Sequence, residues 1–227
     1  MNTYKDIQYS LSRSNRKTAS IYIERNGEVS LQVPSSFEGV QVEALIESKR
    51  RWIYRNLAVW QDLNATRVCR EFVSGEGFLY LGSSYRLQIV ESQDVPLKLK
   101  NGYFYLCPDE KIGNAQVFKD FYRTKGMERI PARVKLYQQR MGVSATSIRV
   151  QELQNRWGSC TRDRKLLFHW KCMMAPLSVL DYIVVHELAH IKHANHTPEF
   201  WHEVDKAMPD FKQREDWLRN NGAGMDL

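Results

Sequence analysis

The residue pattern predicts an α+β chain, and three observations carry that prediction. Short alternating apolar runs broken by Asn-Gly and Ser-rich turns extend to about residue 110, and apolar stripes of helical period follow. All six histidines then fall between His169 and His202. The expected division is a mostly antiparallel, β-rich region with one helix at 1–110, followed by a helix-rich core at 111–227.

The elements follow in order. Ser20 to Glu24 and Glu28 to Val33 alternate and are separated by Asn26-Gly27, a hairpin signal. Val42, Leu45, Ile46, Ile53, Leu57 and Trp60 recur at helical spacing, which predicts one amphipathic helix over 40–60. Strands are predicted at Gly77 to Leu81, Tyr85 to Val90, Pro96 to Lys100 and Gly102 to Leu106. From Asn114 the pattern is helical, with Pro131 either starting a second helix or kinking a continuous one, and Gly142 as the stop. Ser147 to Leu153 and Lys165 to Trp170 read as strands, with RWGSCTRDR as a basic connection between them.

Composition bounds the class. With 43% apolar and 26% charged residues among 227, the chain can bury a substantial core. It contains no apolar run of membrane-spanning length, and MNTYKDIQYS lacks the apolar segment of a secretory signal, so a cytoplasmic protein is expected. Cys69, Cys107, Cys160 and Cys172 lack metal-binding spacing and read as reduced thiols. The net charge of +7 gathers at Arg13, Arg16 and Lys17, at Lys49, Arg50, Arg51 and Arg55, and at Arg162, Arg164 and Lys165. Such clusters suit either a solvated face or a nucleic-acid backbone.

The chemistry concentrates in LSVLDYIVVHELAHIKHANH, 177–196. His186 and His190 stand four apart and project from one face of a helix, with Glu187 on the flank as a base for metal-activated water. Leu177, Leu180, Val184, Leu188 and Ile191 form the buried stripe, which leaves Glu187 facing a solvated cleft. A catalytic zinc takes a third protein ligand. His193 continues the helical stripe about 10 Å along the axis from His186, too far for imidazoles that must all reach within about 2.1 Å of one ion. His196 is favoured, because the helix can stop near Asn195 and fold back, with Thr197 and Pro198 starting a new helix. Glu203 and Asp205 are second-sphere candidates on that helix. His169, Arg156, Tyr182 and His193 are candidates to stabilise a developing oxyanion, and Lys165 to Trp170 would pair with an extended peptide if it is a sheet edge.

Several separated blocks, RWGSC at 156–160, KLLFHW, MMAPLSVLDYIVVHELAHIKHANHTPEFW and MPDFKQREDWL, arrive in an order that resembles the YgjP-like metallopeptidase family. The resemblance spans nearly the whole chain, including NRKTASIYIE and KRRWIYRNLA. That family is similar to the SprT-like zincins, which implies a zincin-like core with an active-site helix and adjacent sheet. It also implies His186, His190 and His196 as zinc ligands, Glu187 as catalytic base, and a protein or peptide substrate, including DNA-associated proteins as a variant. A non-catalytic zinc-binding interaction protein is the competing expectation. The chain departs from the family at Phe168-His169-Trp170, where an Asn-rich strand is common, and from the related metzincins at His193, where they carry glycine.

Overall fold

The computed structural model describes residues 1–23, 27–64, 70–108, 111–153 and 156–227, with residues 60–64 described by their backbone only. The chain divides into two compact units, Met1–Arg67 and Val68–Leu227.

The first unit holds β1 (Asn2–Tyr4), β2 (Ile7–Ser14), β3 (Ser20–Ile23), β4 (Val29–Pro34) and helix α1 (Gly39–Asn64). Its sheet runs β1-β2-β4-β3, two antiparallel hairpins joined through a parallel β2/β4 pair. β2 and β4 alternate, so Ile7, Tyr9, Val29, Leu31 and Val33 share a face with Val42, Ile46 and Ile53 of α1, and all eight are buried. β1 and β2 were not expected from sequence, although IQYSLSRS has the period-2 alternation of a strand. Part of the expected Asn26-Gly27 turn, and the Trp60 side chain, lie outside the described residues.

In the second unit, β5 (Gly77–Tyr80), β6 (Ser83–Ile89), β7 (Leu97–Lys100) and β8 (Tyr103–Leu106) repeat that topology as β5-β6-β8-β7, again with a parallel central pair. Antiparallel pairing thus predominates, with one parallel ladder at each sheet's centre where two hairpins meet. Phe78 and Phe104 on the inner face lie 4.3 and 5.3 Å, ring centre to ring centre, from Phe118 of α2 (Asn114–Met141). Strands and helices here share one core, and a boundary at residue 110 would cut through it.

α2 runs unbroken through Pro131 for 28 residues, about 42 Å, and ends where Gly142 takes a left-handed conformation, φ 64°, its N–H bonded to the Gln138 carbonyl. Next come β9 (Ser147–Gln151), β10 (Gly158–Cys160) and β11 (Lys165–His169), a sheet in the order β10-β11-β9. β11 is therefore central and cannot serve as a peptide-binding edge. RWGSC, read as a connection, supplies the edge strand β10 instead. A 3-10 turn at Trp170–Met174 leads into α3 (Leu177–Ala189), followed by α4 (Pro198–Ala207), α5 (Phe211–Asn221) and a final 3-10 turn, Gly222–Gly224. Among the described residues no helix is long and apolar enough to cross a membrane.

Two polar contacts fix where α3 begins and how it lies. The β5–β6 turn donates Leu81 N–H to the Met173 carbonyl (2.8 Å) and Gly82 N–H to that of Met174 (3.0 Å). Gly82 holds φ 83°, and a Cβ there would lie 2.8 Å from the Pro176 ring, so only glycine permits this approach. Arg133 of α2 donates Nε to Asp181 of α3 at 2.6 Å and a second guanidinium nitrogen to the other carboxylate oxygen, while the Tyr137 hydroxyl also donates to Asp181 (3.2 Å). The Asp181 side chain is 8% exposed, so removing the cation strands a buried carboxylate. Arg133→Met should lower stability by about 3 kcal/mol, seen as a fall in the thermal midpoint, with a smaller fall for the double variant Arg133→Met/Asp181→Leu, in which no charge is stranded.

Candidate metal centre

α3 is rich in β-branched and leucine residues, and Val179 through Val185, Leu188 and Ala189 are buried around its whole circumference, not along one stripe. Leu177, expected in that stripe, is 37% exposed at the helix start. The helix is shorter than its apolar pattern suggests. It ends at Ala189, because Ile191 and Lys192 donate to carbonyls three residues back, at Leu188 and Ala189, and tighten the chain into a turn well before Asn195. Thr197 then stands at the N-cap of α4 with Pro198 in its first turn, as the sequence predicts.

That reversal brings His196 back over α3. Ring nitrogens of His186, His190 and His196 lie within 4.8 Å of one another, and His186 Nε2 is 3.0 Å from His196 Nε2. Tetrahedral coordination at about 2.1 Å sets donor nitrogens about 3.4 Å apart, which the His186–His196 pair meets within a few tenths of an ångström, and the third ring has a nitrogen within 4.8 Å of both. His190 Nδ1 lies 3.0 Å from the His193 carbonyl oxygen; a proton on Nδ1 donates there and leaves Nε2 as the lone-pair donor. His193 thus contributes its backbone, and its imidazole is outside the three-nitrogen cluster. Phe200, fully buried, lies 4.6 to 5.0 Å from all three rings, and Trp201 stacks against His196 at 5.8 Å. Burial, with His190 and His196 adjacent, pushes the His186 imidazolium down to about 3, so the ring is neutral and ready to donate a lone pair at neutral pH.

The expected second-sphere carboxylates are elsewhere. Glu203 accepts from Lys192 Nζ at 2.7 Å, and Asp205 is exposed. His202 is exposed as well, and Met208 is buried in the core.

Glu187 differs from its expected setting. It is 5% exposed, its Oε2 is buried with no hydrogen-bond partner among the described residues, and burial raises its carboxyl to about 8, an effect that Arg156 partly offsets. The edge strand β10 lies against it: a Cβ built on Gly158 would fall 2.6 Å from Glu187 Cγ and Oε1. Sequence periodicity placed Glu187 toward solvent because a helix pattern does not reveal a strand packed over the polar flank.

Of the four oxyanion candidates, His169 is buried, and its Nδ1 accepts from Lys171 N–H at 3.0 Å. Tyr182 lies one turn before His186 with ring centres 5.9 Å apart, its phenol pushed well above the ordinary range by burial. Arg156 is exposed, donates to Ser159 Oγ at 3.3 Å, and is the cation that acts on Glu187. The Cys160 thiol is pushed up to about 11 by burial and by Glu187, which leaves it unreactive at neutral pH.

The Glu187 carboxyl lies above its ordinary 4.5 in the folded protein, so its contribution to folding is intact below about 4.5 and is lost as pH rises to about 8. His186 acts oppositely: with a depressed value it favours the fold above 6.5 and costs stability as pH falls toward 3. Metal-free Glu187→Gln should therefore gain thermal stability relative to the metal-free parent as pH climbs from about 4.5 to about 8. Parallel melting curves of the two chelated proteins check this, and a constant offset across that range would contradict the burial of an ionisable Glu187.

Comparison with known proteins agrees with the site. No curated protein matches. The crystal structure of the metallopeptidase zymogen of Pyrococcus abyssi abylysin is similar over 39% of this chain and 90% of that one, at 22% identity and a TM-score of 0.37, a likeness too distant to bear on chemistry. Residues 17–221 match the family described as YgjP-like, metallopeptidase domain, a span that takes in both units, the edge strand and the three histidines. The α+β fold, with its N-terminal sheet and a three-histidine cluster on and beside a buried helix, belongs to a member of the YgjP-like metallopeptidase family.

Proposed function

We propose that this chain is a zinc-dependent peptidase in which His186, His190 and His196 hold the ion and Glu187 is the general base. The observation that carries this reading is the convergence of three imidazole nitrogens within 4.8 Å at the end of the helix that also bears Glu187. A donor set of three neutral imidazoles suits zinc, and three protein ligands leave a position for substrate chemistry. When bound, zinc supplies a Lewis acid that lowers the pKa of water toward 7 and polarises a carbonyl oxygen.

The chain's own groups do the rest. The Glu187 carboxylate takes a proton from the attacking water and returns it to the amide nitrogen as the C–N bond breaks. Its buried, unpartnered Oε2 is free for that proton. β10, paired on one side only within its sheet, offers main-chain groups to an extended peptide in the position where β11 was expected. Arg156, exposed and acting on Glu187 through its charge, is the cation we assign to the negative charge that develops on the substrate. Of the basic clusters, Arg50 is paired with Asp6, whereas Arg16 donates to the neutral Gln32 and Ser20; we take a protein or peptide as the substrate. The free thiols of Cys107 and Cys160 suit a reducing cytoplasm; Cys69 lies outside the described residues.

Two experiments test the reading. His186→Ala, His190→Ala and His196→Ala should each abolish stoichiometric zinc by elemental analysis. His193→Ala should keep it, since the carbonyl that bonds His190 survives the substitution. Glu187→Gln should retain zinc and lose cleavage of a quenched-fluorescent peptide library by about 10²- to 10⁴-fold. Zinc-replete Glu187→Gln with parental cleavage would remove Glu187 as the base. Loss of zinc from His193→Ala with retention by His196→Ala would reassign the third ligand.

A further inference from the structure

The contact between the edge strand and Glu187 does more than fill space. We propose that Gly158 is a positioning residue of the hydrolytic site: its missing side chain forms the seat in which the Glu187 carboxylate lies. This inference rests on the peptidase reading above and deepens it.

Three observations carry it. A Cβ on Gly158 would stand 2.6 Å from Glu187 Cγ, 2.6 Å from Oε1 and 2.8 Å from Cδ, closer than packed atoms tolerate. Backbone conformation does not explain the glycine, since Gly158 is not among the residues with positive φ. Neither backbone can retreat. Gly158 is paired in register with Phe168, and the preceding Trp157 carbonyl accepts both His169 N–H (2.8 Å) and Cys172 Sγ–H (3.2 Å). The Trp157 ring is itself held against Gly222, where a Cβ would fall 2.7 Å from Cζ2. On the other side, Glu187 extends from a helix buried all round.

A methyl group at 158 is therefore accommodated by rotation of the Glu187 side chain, which carries the carboxylate away from its seat against β10. The reaction then loses the alignment of its base, while the three ring nitrogens, borne by other residues, keep theirs. Misplacement of a reacting group by about 1 Å costs about 10²-fold in rate. Gly158→Ala should lower kcat by about that factor, leave KM on a quenched-fluorescent peptide cleaved by the parent within about threefold, and retain the parent's zinc content.

A stability cycle on chelated protein separates positioning from general disruption of β10. Gly158→Ala should lower the thermal midpoint of the parent but not that of Glu187→Ala, where the new methyl occupies the space the carboxylate has left. Should Gly158→Ala alone fail to fold, a folded Gly158→Ala/Glu187→Ala double variant supports the contact. An equal fall in both backgrounds, or parental kcat in Gly158→Ala, overturns the proposal. If Gly158→Ala keeps parental kcat while Glu187→Gln is inactive, only the positioning role falls. If Glu187→Gln is fully active, the peptidase reading falls, and the stability cycle still decides whether Gly158 seats the side chain.

Discussion

A buried carboxyl on the helix that carries the first of three clustered histidines is the arrangement that the second unit has to sustain. Taking Glu187 and His186 out of water disfavours their charged forms, visible in the raised carboxyl and the depressed imidazole. The His186 ring is accordingly a neutral donor, and the carboxyl is poised near neutrality. Both states suit a centre that gathers a cation and moves a proton. Such a group of polar side chains holds together only because apolar packing surrounds it. Phe200 lies against all three rings, Trp201 covers His196, and the rest of α3 is immersed in valine and leucine.

The elements remote from the histidines set the position of α3. Hydrogen bonds from the β5–β6 turn hold the 3-10 segment before it, and the Arg133–Asp181 pair ties it to α2. Gly126 lets α2 approach β9 so closely that a Cβ would lie 3.0 Å from Val150. The sheet is thereby drawn against the long helix, and its other edge, β10, comes to rest on Glu187. The geometry around Glu187 and the histidine cluster is in this sense an end product of packing that begins at the four-stranded sheet.

The short turn after Ala189 sets the geometry of the histidine cluster. Had α3 continued to Asn195, His193 would have extended away along the axis and His196 would have pointed elsewhere on the cylinder. Bonds back to Leu188 and Ala189 tighten the chain, and the His193 carbonyl comes round to face His190 Nδ1. One loop delivers a ring and fixes the tautomer of another.

The sequence by itself determined the class of fold, a helical stretch from Asn114 that stops at Gly142, the site-bearing helix, Thr197-Pro198 at the start of the next one and the histidines that meet. These are encoded by local periodicity, capping and ligand spacing, which act over a few residues. Tertiary structure alone decided that β10, not β11, is the sheet edge and that strands 77–106 share a core with the later helices. It also decided that Glu187 is buried, that the His193 backbone serves His190, and that Gly158 faces Glu187. Each of these depends on which strand lies beside which element many residues away. GSC carries three small residues with no alternation, so nothing local marks it as a strand, and a helical pattern around Glu187 cannot report a neighbour contributed by residue 158.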